Sequence, residues 1–426
     1  MTVMDGVQTE WIEVELGDHV DLLTGFPFKS SKFVTKGEFI RLLKGSVLAP
    51  GALNWNGCVG WPINESSDFR KYELQLGDVV LAMDRPWVAS GLKFAWITDA
   101  DLPSLLVQRV ARLRGARGLD TEFLRYVIGG RDFSNYIEPI TTGVSVPHIS
   151  PGLISSFRFM LPPLPTQKKV AAILSAYDDL IENNNRRIKL LEEMAQRIYR
   201  EWFVDFRYPG HESVPLVDSE LGLIPDGWKV TSLSEIVSSV RDSVRSGPDT
   251  LNVPYVPIDC ISAMSLCLGD WKSGEHANSS LIRFEADDVL FGAMRPYFHK
   301  VAIAPFAGTT RGTCFVLRAM NMAFWSFVVM TLFDERTVDF ASRHSSGSTI
   351  PYARWASGLE TMPVLMPTGE LAAAFEVTQN PILKFLQGMG TMQANLRLTR
   401  DLLLPRLISG EIDVTDLDIS LAETAA

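Results

Sequence analysis

An α+β fold, built twice, is what this sequence predicts. Three observations carry the prediction. Blocks from the first half of the 426 residues recur in the second half, in the same order. Inside each copy, short β-rich apolar runs mix with amphipathic stretches. Each copy is followed by a long segment with the three-four apolar rhythm of a helix.

The recurrence can be followed block by block. E-W-I-E-V-E-L-G-D-H-V at 10–20 answers G-W-K-V-T-S-L-S-E-I-V at 227–237. D-V-V-L-A-M-D-R-P at 78–86 answers D-V-L-F-G-A-M-R-P at 288–296, and T-G-V-S-V-P-H at 142–148 answers S-G-S-T-I-P-Y at 346–352. F-R-F-M-L-P-P at 157–163 answers M-P-V-L-M-P at 362–367. The offset drifts slowly, from 217 to 210 to 204, and chance does not keep four blocks in register. Runs 79–83, 94–97 and 106–113 read as strands of the first copy, and 289–293, 300–304 and 314–317 as strands of the second. Segments 120–128 and 322–332 read as helices, and Trp11 and Trp228 as caps of small cores. The Thr/Ser/Gly loops 141–145 and 345–349 are exposed surface of the kind that carries recognition.

The two long segments come next. From Gln167 to Phe203 there is neither Pro nor Gly, and Val170, Leu174, Tyr177, Ile181, Ile188, Leu191, Ala195, Ile198 and Trp202 form a heptad seam with one gap at Asn184. That gap reads more readily as a solvated residue than as a buried, register-setting amide. Such a helix is a rod of roughly 55 Å. The second segment reads as shorter and less regular. It opens at Pro381, has a seam of Ile382, Phe385, Met389, Met392, Leu396 and Leu403, and is weakened by Gly388 and Gly390. The resulting division is a first globular domain at 1–165, a helix at 166–210, a second domain at 211–367, a helix at 368–414 and an acidic tail at 415–426.

Composition removes several classes. Hydrophobic residues are 46% and charged residues 21%, which excludes wholesale disorder. The longest apolar run, 323–333, is too short to span a bilayer, and the N-terminus does not read as a secretory signal. Four scattered cysteines form neither a disulfide framework nor a zinc site, so a cytoplasmic location and no membrane partner are expected. Net charge is −10, spread as −2, +1, −5 and −4 over 1–165, 166–210, 211–365 and 366–426. A nucleic-acid role then requires basic residues gathered on one face, or help from a partner. If the long helices run antiparallel, the domains lie at opposite ends about a pseudo-two-fold axis. Two non-identical readers on a rod would sense two patches of duplex a fixed distance apart.

L-P-P-L-P-T-Q-K-K-V-A-A-I-L at 161–174, E-W-F-V-D-F at 201–206, M-R-P-Y-F-H-K-V-A-I-A-P at 294–305 and L-L-P-R-L-I-S-G-E-I at 403–412 resemble the specificity subunit of type I restriction–modification systems. The resemblance covers essentially the whole chain. It implies that each domain is a target recognition domain reading one half of a bipartite, asymmetric sequence in double-stranded DNA. It also implies that the paired helices space the domains and dock two adenine-N6 methyltransferase subunits, and that a restriction/translocase subunit joins the complex. The chain itself would then have no catalytic centre, no metal and no cofactor, with S-adenosylmethionine held by the partner. One departure stands out: the second helix begins Pro-Thr-Gly-Glu where the first has Pro-Thr-Gln-Lys-Lys.

The residues agree with a non-catalytic role. There is no phosphate-cradling G-x-x-x-x-G-K, no H-E-x-x-H and no Gly-rich nucleotide fingerprint, and the six histidines are dispersed. Groups suited to phosphates or base edges are Lys29, Ser30, Ser31, Lys32, Arg85, Trp87, Thr141, Thr142 and Ser145 in the first domain. In the second they are Arg295, Tyr297, His299, Lys300, Arg343, His344, Ser345 and Ser346. For Arg85 and Arg295, a carboxylate partner or a loop cap is the stronger reading; the polar loops stand even between structure and contact. On the helices, Lys168, Lys169, Tyr199, Trp202, Phe203, Leu403, Arg406 and Leu407 are the docking candidates. The competing class is a coiled-coil scaffold joining two protein-binding domains without DNA, which the acidic balance favours. A stand-alone nuclease or methyltransferase is the third.

Overall fold

A computed structural model describes residues 10–141, 147–347 and 349–419, with the side chains of Ile140 and Thr141 also outside the description. The chain divides into two compact units. One runs to Asp178 and takes up the chain again from Thr399; the other is Asp179–Leu398.

The first unit is organised around four strands, β1 (Val20–Thr24), β2 (Val79–Ala82), β3 (Phe94–Trp96) and β4 (Val110–Gly115). They lie in the order β3-β2-β4-β1, with every neighbour antiparallel. β2 is buried along its whole length, as its unbroken apolar sequence requires. Two helices follow, α1 (Thr121–Gly129) and α2 (Arg131–Thr141). Asp120 caps α1 by accepting the Phe123 amide at 2.9 Å. α2 contains Pro139, and no sequence signal marked it as a helix. The first and fourth recurring blocks pair with each other, Ile12–Glu15 running antiparallel to Arg158–Leu161. The 106–113 run divides between Ser104–Leu106, which pairs parallel with Phe39–Leu43, and β4.

The first long helix, α3, spans Leu164–Phe203, 40 residues. It starts three residues before Gln167 because Pro165 lies in the opening turn, where a missing N–H costs nothing.

The second unit repeats the plan with β5 (Val237–Val240), β6 (Val289–Gly292), β7 (Val301–Ile303) and β8 (Cys314–Ala319). The order is β7-β6-β8-β5, again all antiparallel, and strand for strand this is the order of the first unit. α4 (Trp325–Phe333) and α5 (Glu335–Arg343) follow, and Lys229–Ser232 pairs antiparallel with Pro363–Met366. The duplication read from the sequence is a duplication of topology.

The second long helix, α6, spans Gly369–Ile408 and is also 40 residues. It is neither shorter than α3 nor opened by Pro381, which lies inside it. Its seam is also shifted from the expected one. Ala372, Phe375, Gln379, Leu383, Leu386, Met389 and Gln393 are buried, whereas Phe385 and Met392 are exposed. Buried Gln379 and Gln393 broke the apolar signal on the true face, and Gln387 is buried as well. Gly390 is required rather than merely tolerated: a Cβ there would meet the Leu268 carbonyl at 2.4 Å and the Cys267 sulfur at 2.9 Å.

The long helices pair antiparallel. In the second unit Gln393 donates to the Ile181 carbonyl at 3.1 Å and to Asn185 Oδ1 at 2.7 Å, and Trp202 packs on Phe375 with ring centres 5.5 Å apart. Asn184 is buried, its amide 3.6 Å from the Met392 sulfur. It is therefore a seam residue and not the solvated one expected; buried amides of this kind fix helix register.

Candidate nucleic-acid interface

In both units the buried second strand runs straight into an Arg-Pro pair, and the two pairs have the same geometry. β2 exits through Met83-Asp84-Arg85-Pro86. Arg85 has φ 46°, left-handed for a side-chain-bearing residue, and its amide donates to the Pro147 carbonyl at 2.9 Å. The Ile149 amide donates to Met83 at 2.7 Å. In the second unit Arg295 has φ 50°, its amide donates to the Pro351 carbonyl at 2.7 Å, and the Ala353 amide donates to Ala293 at 2.8 Å. Each proline follows the polar loop that the sequence singled out. The strand end and the proline are thus brought together, twice, by equivalent hydrogen bonds.

The side chains differ from expectation. Neither Arg85 nor Arg295 has a carboxylate partner among the described residues. Asp84, the nearest acid in sequence to Arg85, is held by His148 and by Arg109 at 3.3 Å. The Arg295 Nε is buried without a hydrogen-bond partner. Lys93 makes the surroundings of Arg85 more positive: burial first, and then the Arg85 charge, pull its pKa down.

The remaining candidates separate by exposure. Lys29, Ser30 and Ser31 are exposed at a short turn. Lys32 pairs with Glu65 at 2.6 Å and lies 5.6 Å from the ring of Trp61. That loop rests on a satellite core of Phe28, Trp61 and Phe69. Trp87 is half-buried in a two-residue hairpin with Gly91–Leu92. Thr142 and Ser145, and the side chain of Thr141, lie outside the described residues.

Tyr297 is exposed on the turn after Arg295. His299 is not available to a ligand: it is 8% exposed and its Nε2 meets the Phe333 carbonyl at 2.9 Å. Burial lowers its pKa, which keeps it neutral. Lys300 donates inward to the Ile258 carbonyl at 2.8 Å. Arg343 and His344 end α5 on the surface, with His344 stacked on Phe340 at 4.0 Å. Ser345–Ser346 pairs with Tyr352–Ala353, immediately after the carbonyl that Arg295 holds.

Beside that strand end is a cleft of about 560 Å³ lined in part by Asp259, Lys272, His276, Met294 and Arg311. Sequence reasoning missed Lys272 and Arg311. Both lie outside the recurring blocks, so nothing in the repeat pointed to them. Three of the four cysteines are deactivated as nucleophiles: burial pushes Cys260 and Cys267 up to about 12 and Cys314 to about 11. Among the described residues no group of His, Cys, Asp or Glu suits a metal ion, and no helix is long and apolar enough to cross a membrane.

The docking candidates need correction. Tyr199, Phe203 and Leu407 are core residues, 5%, 4% and 2% exposed. Tyr199 bonds Thr331 at 3.1 Å, and Phe203 packs against Phe327 and Phe375. They are candidates because they lie on the helices to which the resemblance gives a docking role. Trp202 and Leu403 are half-buried, and Lys169 donates to the Thr415 carbonyl at 2.6 Å. Only Lys168 and Arg406 are fully on the surface, the latter paired with Glu411 at 2.7 Å. The apolar side chains that α3 and α6 leave exposed in the second unit are others: Leu180, Leu190 and Met194, and Val377, Phe385, Met392 and Leu398.

Comparison with known proteins places this geometry. Residues 8–193 match the family described as the type I restriction modification DNA specificity domain. The match takes in 186 of the 426 residues. Over 187 residues the chain is 37% identical to the type I restriction enzyme EcoAI specificity subunit of Escherichia coli, covering 44% of this chain and 31% of that protein. It is 25% identical over 318 residues to the MjaIX specificity subunit of Methanocaldococcus jannaschii, covering 70% and 71%. The type I restriction–modification S subunit from M. genitalium shares the fold, with a TM-score of 0.57 at 14% identity over 96% of this chain and 98% of that one. The matched segment ends inside α3, and the second unit repeats the strand order of the first.

Proposed function

We propose that the chain is the DNA sequence-recognition subunit of a type I restriction–modification complex. Residues 1–165 and 211–367 are its two target recognition domains, each reading one half of an asymmetric bipartite site in double-stranded DNA. The helices at 166–210 and 368–414 set the spacing between the half-sites and dock two adenine-N6 methyltransferase subunits, which bring S-adenosylmethionine. A restriction/translocase subunit completes the nuclease. The chain has no catalytic role of its own and works in the cytoplasm.

One observation carries this reading. A unit whose first copy matches the specificity family occurs twice, and each copy holds a strand-end arginine on the proline that follows a polar sequence. Exposed Leu190, Met194, Phe385 and Met392 give the helices apolar side chains that a docked subunit could cover. The acidic balance favours the alternative, a scaffold for two protein partners. Co-expression with a type I methyltransferase subunit, followed by mapping of methylated adenines, separates the two. A split motif with a fixed gap supports recognition; methylation without sequence preference, or none, supports the scaffold.

A further inference from the structure

The strained arginines at the two strand ends are the strongest unexplained feature of the molecule. Left-handed backbone is costly for any residue with a Cβ, and such strain persists only where the surroundings impose it. Here it is imposed twice, at equivalent positions, by the Arg85 amide on Pro147 and the Arg295 amide on Pro351. A glycine would adopt the same turn without strain, so the turn alone does not account for arginine.

Charge does not account for it either. Among the described residues neither guanidinium meets a carboxylate, and the Arg295 Nε is buried with nothing to bond. The one acid adjacent to Arg85 is shared by His148 and Arg109. Arg85 instead bears on a second cation, Lys93, lowering its pKa. Lys93 is satisfied by the Gly45 carbonyl at 2.8 Å, whereas Arg85, on its fixed turn, meets no carboxylate among the described residues.

We infer that Arg85 and Arg295 are the equivalent target-contacting residues of the two domains, each offering its guanidinium fork to a pair of DNA acceptor atoms in one half-site. This rests on the DNA-recognition reading above. The acceptor pair is the O6/N7 edge of a guanine or two oxygens of a phosphate; both match the fork. Tyr297, exposed on the turn after Arg295, lies on the same side of the strand end in sequence order. The locked backbone spares the arginine much of the ordering cost of binding.

The test uses the full chain, a pool of duplex DNA with a randomised central segment, and selection at two salt concentrations. Arg85→Gly and Arg295→Gly keep the left-handed turn and remove only the fork; Arg85→Lys and Arg295→Lys keep the charge without it. Thermal unfolding confirms that the variants stay folded. If the fork reads a base, each Gly variant relaxes one position in one block of the selected motif, with roughly tenfold to hundredfold weaker binding to the original site, and Lys does not restore it. If it grips a phosphate, affinity falls evenly across sequences, the salt slope drops by about one, and Lys restores most of both. Either result upholds the inference. Unchanged motif, affinity and salt slope in folded Gly variants overturn it while the wild-type motif leaves the functional reading intact. A wild-type chain that selects no split motif removes both.

Discussion

Arg318 on β8 grips Asp288, at the entrance to β6, through Nε at 2.7 Å and Nη2 at 2.8 Å. Arg114 on β4 holds Asp78, at the entrance to β2, through the same two nitrogens. The second oxygen of each aspartate also accepts a backbone amide three residues earlier, from Glu285 at 2.8 Å and from Gln75 at 2.7 Å. Both carboxylates are buried. The pair ties the second and fourth strands of each unit, and the hydrogen bond to the aspartate raises the pKa of each arginine.

The two halves of this pair are not equivalent energetically. Asp288 is 1% exposed, while the Arg318 side chain is 37% exposed. Arg318→Met strands a buried carboxylate and should cost about 3–5 kcal/mol. Asp288→Asn leaves an arginine that reaches solvent and keeps an acceptor for the amide, so about 2 kcal/mol is expected. Denaturant unfolding of both variants checks the order; equal losses would show that the buried charge is not what the pair protects.

Gln167 locks the start of α3 to the first unit. It is fully buried, accepts the Asp120 amide at 2.7 Å, and donates to the Gly118 and Pro162 carbonyls, both at 2.8 Å. Gln167→Ala leaves these groups unpaired and should cost about 2–3 kcal/mol. Amide hydrogen exchange at 118–123 should accelerate in step, whereas protection confined to its wild-type level there would contradict the lock.

Glu192 is a buried carboxylate on α3 that accepts from the Ser265 hydroxyl at 2.7 Å and from the Leu266 and Cys267 amides at 2.8 and 3.3 Å. Burial outweighs these donors and raises its pKa above the ordinary 4.5. The folded chain then holds the proton more tightly than the unfolded chain. Ionisation therefore carries a stability cost that is absent below pH 4.5 and complete above the raised folded value. Wild type should lose Tm relative to Glu192→Gln as pH rises through that window. A Tm difference that does not change with pH would rule this out.

The exposed apolar residues of the helices separate docking from folding. Leu190→Glu with Met194→Glu should leave Tm within a degree or so, since surface changes typically cost under about 0.5 kcal/mol. Co-purification with a methyltransferase subunit should fall sharply. Retained co-purification would move docking elsewhere. Tyr199→Ala, by contrast, should cost about 3–5 kcal/mol as a buried aromatic.

How much of this was legible beforehand depended on which physical signal each part carries. The two buried second strands were legible because Asp78 and Asp288 each precede an unbroken apolar run, and burial on both faces writes itself into sequence. α3 was legible because its seam is apolar at every step but Asn184. The seam of α6 was not, because Gln379 and Gln393 occupy buried positions and Phe385 and Met392 stand outside. The altered start of α6 also has a structural answer. Where Gln167 bonds the Asp120 amide in the first unit, Glu376 accepts the Ser326 amide at 2.8 Å in the second, seven residues beyond Gly369, the counterpart of Gln167. His299 was misjudged because a histidine next to an exposed turn gives no sign that a left-handed φ of 52° turns it inward.

The C-terminal part of the chain also completes the first unit. Leu407 and Val414 are buried in its core, and Arg400 reaches Asp178 at 2.9 Å. A chain ending at Leu398 should therefore expose the first unit to limited proteolysis while 179–398 stays protected. Equal resistance of both would show that the closing residues are dispensable.

That closure has a consequence for how the protein is made. The N-terminal part of the first unit is synthesised before the second unit, yet the side chains that seal it come after the second unit. The second unit, contiguous in the chain, has all its parts before then. Synthesis therefore leaves the first unit waiting, partly open, while the second is made, so a product cut short before Thr399 carries one finished unit and one unsealed.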